Sequence, residues 1–223
     1  MTPSNGLPLA ALIAFAYLMG SVPWGVLLVK RFAGLDVRRE GSGNIGATNV
    51  RRIAGFPLGL ATLLLDMAKG GIPVALAALL LPTAFPMALT ALAAFLGHLY
   101  PVFLKGKGGK GVATAAGCFL VLSPGASFAA IFVFMIILHG VRRVSIASMG
   151  SALSLPLFVW LAGGGAVTLG CAWLMAAIII LRHRDNIRRL MAGTETAIGG
   201  RRVASGKDRE GNKLRKNSER RVD

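Results

Sequence analysis

At 223 residues, with 54% from the hydrophobic set, 15% charged and a mean hydropathy of +0.64, the chain is too apolar for a soluble domain, in which about 25% of residues are charged. A formal net charge of +16 would suggest nucleic acid, but the basic residues fall between apolar blocks and at the C-terminus, which points to anionic lipid or a phosphorylated substrate. Cys118 and Cys171 stand alone inside apolar blocks and read as small buried residues, not as a disulfide or metal site.

In chain order, the first apolar block is Leu7 to Val29, 23 residues without a charge, which as a helix reaches about 34 Å, enough for one crossing. No basic region precedes it and no small-residue cleavage site follows, so a retained span is expected rather than a cleaved signal. Lys30 to Arg52 is polar and contains GSGNIGATN, a loop or a set of short interfacial elements. Ile53 to Leu81 is apolar except for Asp66 and Lys69, and Gly70, Gly71 and Pro73 predict a crossing with a weakened or broken middle. After an uncharged turn between Pro82 and Pro86, a third block runs from Met87 to Leu104 and ends at KGKGGKG, Lys105 to Gly111.

Val112 to Leu122 and Ala126 to Leu138 are short apolar pieces parted by Ser123, Pro124 and Gly125, which fits a pair of short helices or one interrupted element. Arg142 and Arg143 follow, then Ile146 to Leu161 and Val167 to Leu181, divided by the uncharged turn Ala162 to Gly165. Beyond Arg182 the chain is basic, and residues 198–223 read as a disordered cytoplasmic tail after an integral membrane domain over residues 1–197.

Of the 25 Lys and Arg residues, all but Lys69 lie in four stretches outside the apolar blocks. The positive-inside tendency makes all four cytoplasmic, so the N-terminus is outside. The glycine loop Lys105 to Gly111 and Arg142 can share a side only if the chain between them goes in and returns. The expected fold is therefore an all-α polytopic membrane protein of seven membrane helices, including a short-helix pair, with the N-terminus outside and the C-terminus cytoplasmic. The outer turns carry no charge.

The residues that could carry chemistry gather in the basic stretches. In Gly41 to Asn49, three glycines let backbone amides approach a bound group, while Ser42, Asn44, Thr48 and Asn49 offer short polar side chains and Arg51 and Arg52 offer forked donors. A tight interhelical turn would use the same small residues. Lys105, Lys107 and Lys110 interleave with Gly106, Gly108, Gly109 and Gly111, and Thr114 opens the helix beyond, whose free amides favour an anion. This resembles a P-loop in composition but lacks its GxxxxGK[ST] pattern and its strand. His98 could orient that loop, donate to a phosphate, or make a structural hydrogen bond. Asp66 and Lys69, three apart on a helix, are expected to pair inside the membrane. His183 and Asn186, also three apart, share one face of the segment HRDNIRRLMAGTE, which also reads as a basic amphipathic helix at the membrane surface. No HExxH, paired-carboxylate or GxSxG arrangement suggests another chemistry.

Three segments carry a resemblance to a known family: GSGNIGATNVRR at Gly41 to Arg52, GHLYPVFLKGKGGKGVAT at Gly97 to Thr114, and HRDNIRRLMAGTE at His183 to Glu195, with weaker agreement at GSVPWG, Gly20 to Gly25, and LDMAKG, Leu65 to Gly70. They resemble the signature motifs of the membrane glycerol-3-phosphate acyltransferases that use acyl phosphate as donor, the PlsY family. The resemblance covers Tyr17 to Glu195, with one departure: Gly106 stands where the family usually has an aromatic residue, and Lys105 is an added charge.

That resemblance implies acyl transfer from acyl phosphate to the 1-hydroxyl of glycerol 3-phosphate, giving lysophosphatidic acid and inorganic phosphate, the first acylation of phospholipid synthesis. It assigns catalytic roles to Ser42, Arg52, His183 and Asn186. It assigns phosphate binding to Lys107, Gly108, Gly109, Lys110 and Gly111 and a structural role to Glu195; the residues themselves add Asn44 and Thr114 to the substrate- and phosphate-binding set, and Asp66, Lys69 and His98 as support. It implies a bacterial cytoplasmic membrane location, an active site on the cytoplasmic side, and no cofactor or metal. The implied partners are glycerol 3-phosphate, long-chain acyl phosphate, membrane lipid and a soluble enzyme that makes acyl phosphate. A transporter of an anionic metabolite is the rival class, and would need a polar path to the outer face.

Overall fold

In the computed structural model the described residues are 6–198; the tail expected to be disordered lies, from residue 199 onward, outside them. Among the described residues the regular structure is all helix, as satisfying backbone groups within lipid demands. Five segments are long and apolar enough to cross a membrane, or six if the bent pair at the C-terminal end counts as one span. The chain is thus an all-α polytopic membrane protein.

The first block is not one rod. It divides into α1 (Gly6–Ser21) and α2 (Trp24–Ala33), because Pro23 has no N–H to continue the helical ladder. The Val22 carbonyl released at the break is satisfied from another helix: Lys69 Nζ donates to it at 2.8 Å.

α3 (Ala47–Leu80) is 34 residues long, and of the weakened or broken middle expected at Gly70, Gly71 and Pro73 it excludes the break. The helix runs through those residues and kinks instead at Gly55, whose φ of 86° and ψ of 172° are closed to residues with a side chain. The glycines near the middle serve packing. A Cβ on Gly70 would fall 2.3 Å from the carbonyl oxygen of Thr114, and one on Gly117 would fall 1.9 Å from that of Met67. They let two helix backbones meet closely, as small residues do in membranes.

α4 (Ala84–Leu99) passes through a single 3-10 turn, Val102–Leu104, into the glycine loop. α5 (Val112–Leu122) and α6 (Pro124–Val141) meet at Ser123. α5 is short at 11 residues, but α6 has 18 and is long enough to cross, which corrects the pairing of two short pieces. Pro124 starts α6 where its missing N–H costs nothing, and the helix continues past Leu138 to Val141. α7 (Val144–Leu161) and α8 (Ala166–Arg182) follow across the uncharged glycine turn, and α9 (Arg184–Met191) leaves α8 at a 53° bend.

The core is built from small residues such as Ala16, Ala91, Ala94, Ala172 and Ala176 around Phe95, Phe119 and Met175, while Phe128, Phe132, Leu157 and Trp160 are exposed. In lipid this costs nothing, since hydrocarbon solvates large apolar side chains as well as a core does. The expected Asp66 and Lys69 pair is present at 2.9 Å, with both side chains almost fully buried. A charge isolated there would be costly, so the pair and the Val22 carbonyl form one satisfied unit tying α3 to the break between α1 and α2.

Candidate active site

The loop Gly41 to Asn49 is held from behind by one buried amide. Asn49 Nδ2 donates to the carbonyls of Val37 at 3.2 Å, Glu40 at 3.0 Å and Asn44 at 2.9 Å, and its Oδ1 accepts the Ser42 amide at 2.8 Å. A Cβ on Gly41, at φ 59°, would lie 2.2 Å from that Oδ1. With its back fixed in this way, the loop turns Ser42 outward, and Arg52 is likewise exposed on the first turns of α3. Asn44 is half-buried and accepts the Gly46 amide at 2.9 Å, an Asx turn that steadies the entry to α3.

The glycine loop folds back on the end of α4. The amides of Gly108 and Gly109 donate to the carbonyls of Leu99 and His98, both at 3.1 Å. His98 is buried, with Nδ1 3.8 Å from Asp66 Oδ1, and Gly109 lies against its other ring nitrogen. His98 thus lies between the Asp66 and Lys69 pair and the loop, and its Nδ1 has no hydrogen-bond partner among the described residues. Lys107 is exposed, Lys110 half-buried, and Gly106 stands in open space at φ 76°. Gly111 ends the loop at φ 84° and leads into the first turn of α5, where Thr114 is fully buried with no partner for its hydroxyl among the described residues.

Because a Cβ on Gly109 would fall 2.2 Å from His98 Nε2, and the buried histidine has nowhere to go, Gly109→Ala must push the loop off α4. We expect kcat/KM to fall about 100-fold, the size of effect that follows from displacing a positioned group by an ångström. Steady-state kinetics normalised to the amount of inserted protein measures it.

The third segment begins where α8 bends into α9. His183 is buried at the bend, and its Nδ1 lies 2.8 Å from the Ile179 carbonyl. A carbonyl only accepts, so Nδ1 carries the proton and the neutral ring offers a lone pair at Nε2. Burial, with the charge of Lys110 nearby, brings the His183 pKa down to about 4. Asn186 receives Lys110 Nζ on its Oδ1 and donates from Nδ2 to Glu195 Oε1 at 2.6 Å. Glu195 Oε2 takes Arg189 Nε at 2.7 Å, and the Glu195 carbonyl takes Arg143 Nε at 3.4 Å. One chain of hydrogen bonds therefore runs from the glycine loop through the third segment to the junction of α6 and α7.

The first segment joins the others by packing: Leu104, just before the glycine loop, rests against the apolar cluster Val29, Val37, Ile45 and Val50. These links gather the described parts of the four basic stretches at one end of the bundle. Two residues left out of the sequence-based site organise it. Asn49 fixes the first loop, and Arg182, the last residue of α8, donates to the carbonyls of Gly108 and Gly109. An amide in a glycine-rich turn is a fair signal for the first; a basic residue ending a membrane span is too common to mark the second.

Comparison with known proteins agrees with the resemblance. The family model described as glycerol-3-phosphate acyltransferase matches residues 10–193. A glycerol-3-phosphate acyltransferase of Geotalea daltonii is 48% identical over 184 residues, covering 82% of this chain and 94% of its own. One from Geobacter metallireducens is 50% identical over 184 residues with the same coverage. The crystal structure of PlsY, an integral membrane glycerol 3-phosphate acyltransferase, in its glycerol 3-phosphate form, superposes with a TM-score of 0.82 at 41% identity, covering 85% of this chain and 95% of that one. Its lysophosphatidic acid form gives 0.81 at the same identity.

Proposed function

The chain belongs to the PlsY family of membrane glycerol-3-phosphate acyltransferases, and from that premise we propose that its three polar segments form one site at the cytoplasmic face. It transfers an acyl group from acyl phosphate to glycerol 3-phosphate and forms lysophosphatidic acid. The observation that carries the site is the hydrogen-bonded run from Lys110 through Asn186 to Glu195 and Arg189, which sets a phosphate-suited loop beside His183.

In this reading Lys107, Lys110 and the amides opening α5 take the phosphate of glycerol 3-phosphate, with Gly108, Gly109 and Gly111 allowing its close approach and Thr114 supporting the helix start. Arg52 takes a phosphate of the acyl donor or acceptor, and Ser42, Asn44 and Asn186 orient the hydroxyl and the acyl carbonyl. Asp66, Lys69, His98 and Glu195 hold these parts in place. The 1-hydroxyl oxygen attacks the acyl carbon, a new ester C–O bond forms, and the mixed-anhydride C–O bond breaks with its electron pair leaving on inorganic phosphate. Acyl phosphate is already activated, so the chemistry asks the protein for alignment and charge stabilisation.

The hydroxyl proton has two possible acceptors, and basicity decides between them. A phosphate group's second pKa is about 6. His183 sits at about 4 and is the weaker base, so the hydroxyl donates its one hydrogen to a phosphate oxygen, and His183 lines the site as a neutral ring beside Lys110.

In this reading the protein lies in the bacterial cytoplasmic membrane with seven membrane helices, the N-terminus outside, and the C-terminus and the site on the cytoplasmic side; the Lys and Arg residues gathered outside the apolar blocks support that orientation. Residues 1–197 make up the catalytic domain. An enzyme that makes acyl phosphate is the soluble partner this arrangement suits. The test is purified protein in lipid with palmitoyl phosphate and labelled glycerol 3-phosphate: lysophosphatidate and phosphate are expected in equal amounts. Activity only with acyl-CoA or acyl carrier protein would overturn the donor assignment.

A further inference from the structure

Arg182 ends α8 one residue before His183, and its guanidinium turns back onto the glycine loop instead of reaching into solvent. Its Nη2 donates to the carbonyl of Gly108 at 3.1 Å and to that of Gly109 at 2.9 Å, and its Nε donates to Gly109 at 3.2 Å. The guanidinium carbon stands 5.6 Å from the ring centroid of Tyr100, whose carbonyl in turn receives the Tyr17 hydroxyl at 2.7 Å. Three elements meet at this one cation, the end of α4, the loop and the helix that carries His183, and α1 reaches the first of them through Tyr17.

We propose that Arg182 is a positioning residue that holds the glycine loop in its phosphate-accepting form and locks the loop to the helix end bearing His183. This rests on reading the loop as the glycerol 3-phosphate site.

The need for such a residue follows from composition. With glycine at 106, 108, 109 and 111, the free loop has far more backbone freedom than an ordinary segment of its length. It must be held in place before the ligand arrives, or binding must supply the ordering. Arg182 does this at the two adjacent peptide units. Because a peptide is planar and trans, fixing the Gly109 carbonyl also fixes the Lys110 N–H, which points the opposite way. The same donors cover two carbonyl oxygens whose partial negative charge would otherwise face an incoming phosphate. The planar fork is what permits two successive carbonyls to be bridged while the cation stays over an aromatic ring; an ammonium acts as a point charge and does neither as well.

The experiment compares Arg182→Ala, Arg182→Lys and Lys110→Met in lipid, measuring kcat and KM for each substrate together with membrane yield. Arg182→Ala should raise the KM for glycerol 3-phosphate about tenfold or more, the worth of a charge-assisted hydrogen bond, with kcat and the KM for acyl phosphate changed less than about threefold. Arg182→Lys should recover part of that loss. An unchanged glycerol 3-phosphate KM in Arg182→Ala, or a fall in kcat alone, would overturn the proposal. If Arg182→Ala does not accumulate in the membrane, Arg182→Lys carries the test, and a wild-type KM there counts against it. Lys110→Met separates the two layers. If it leaves that KM unchanged, the loop is not the glycerol 3-phosphate site. If it raises that KM and Arg182→Ala does not, only the role of Arg182 falls.

Discussion

Arg52→Ala and Ser42→Ala are each expected to lower turnover by roughly 10³-fold or more while leaving the protein folded and inserted, the scale of loss seen when a group that stabilises transition-state charge is removed. The argument turns on where the two side chains stand. Ser42 lies on a loop whose shape depends on Asn49, which accepts from the Ser42 backbone N–H and donates to three carbonyls, and none of these bonds uses the serine hydroxyl. Both residues are exposed, so truncation opens no cavity in the core. A large kinetic loss with normal yield and melting temperature would then report chemistry. Asn49→Ala is the contrast: it releases the loop, so stability should fall together with activity. Turnover that survives both Ser42→Ala and Arg52→Ala would remove the first segment from the site.

The architecture was legible where local sequence decides it. Uncharged blocks of spanning length announce membrane helices, and Asp66 and Lys69 announce a pair because an i,i+3 spacing and the cost of a bare charge leave little else. Break positions were less legible. Pro23 breaks the first block, yet Pro73 leaves α3 intact and Gly55 kinks it. Whether a proline or glycine bends a helix depends on what packs beside it. Gly70 and Gly117 face the backbone of a neighbouring helix, a contact that no window of sequence contains. In the site, the second and third segments could be named from their residues. That Lys110 meets Asn186, and that Arg182 turns onto the loop, depends on how α8 ends against α4, which is a matter of tertiary packing.

Activity should decline on the alkaline side through a pH of about 8, because burial, offset in part by Glu195, brings the Lys110 pKa down to about 8 from 10.5. If the cationic form holds the substrate phosphate, kcat/KM for glycerol 3-phosphate, which reports the free enzyme, should fall about tenfold per pH unit above that point. The substrate phosphate itself loses its second proton near pH 6, which sets the rising limb and makes the profile a bell. In the complex the phosphate dianion favours the ammonium, so the fall in kcat should come at higher pH than that in kcat/KM. The stability contribution runs the other way. Between pH 8 and 10.5 the unfolded chain binds the Lys110 proton and the folded chain does not, so this group's effect is to raise stability as pH rises through that window. Lost activity with an unchanged or rising melting temperature would therefore separate titration of Lys110 from alkaline unfolding. Lys110→Arg keeps the charge at every accessible pH and should abolish the alkaline limb, whereas Lys110→Met should lose both the limb and roughly 10²-fold or more in kcat/KM. An alkaline limb that persists unchanged in Lys110→Arg would assign it to another group and take Lys110 out of phosphate binding.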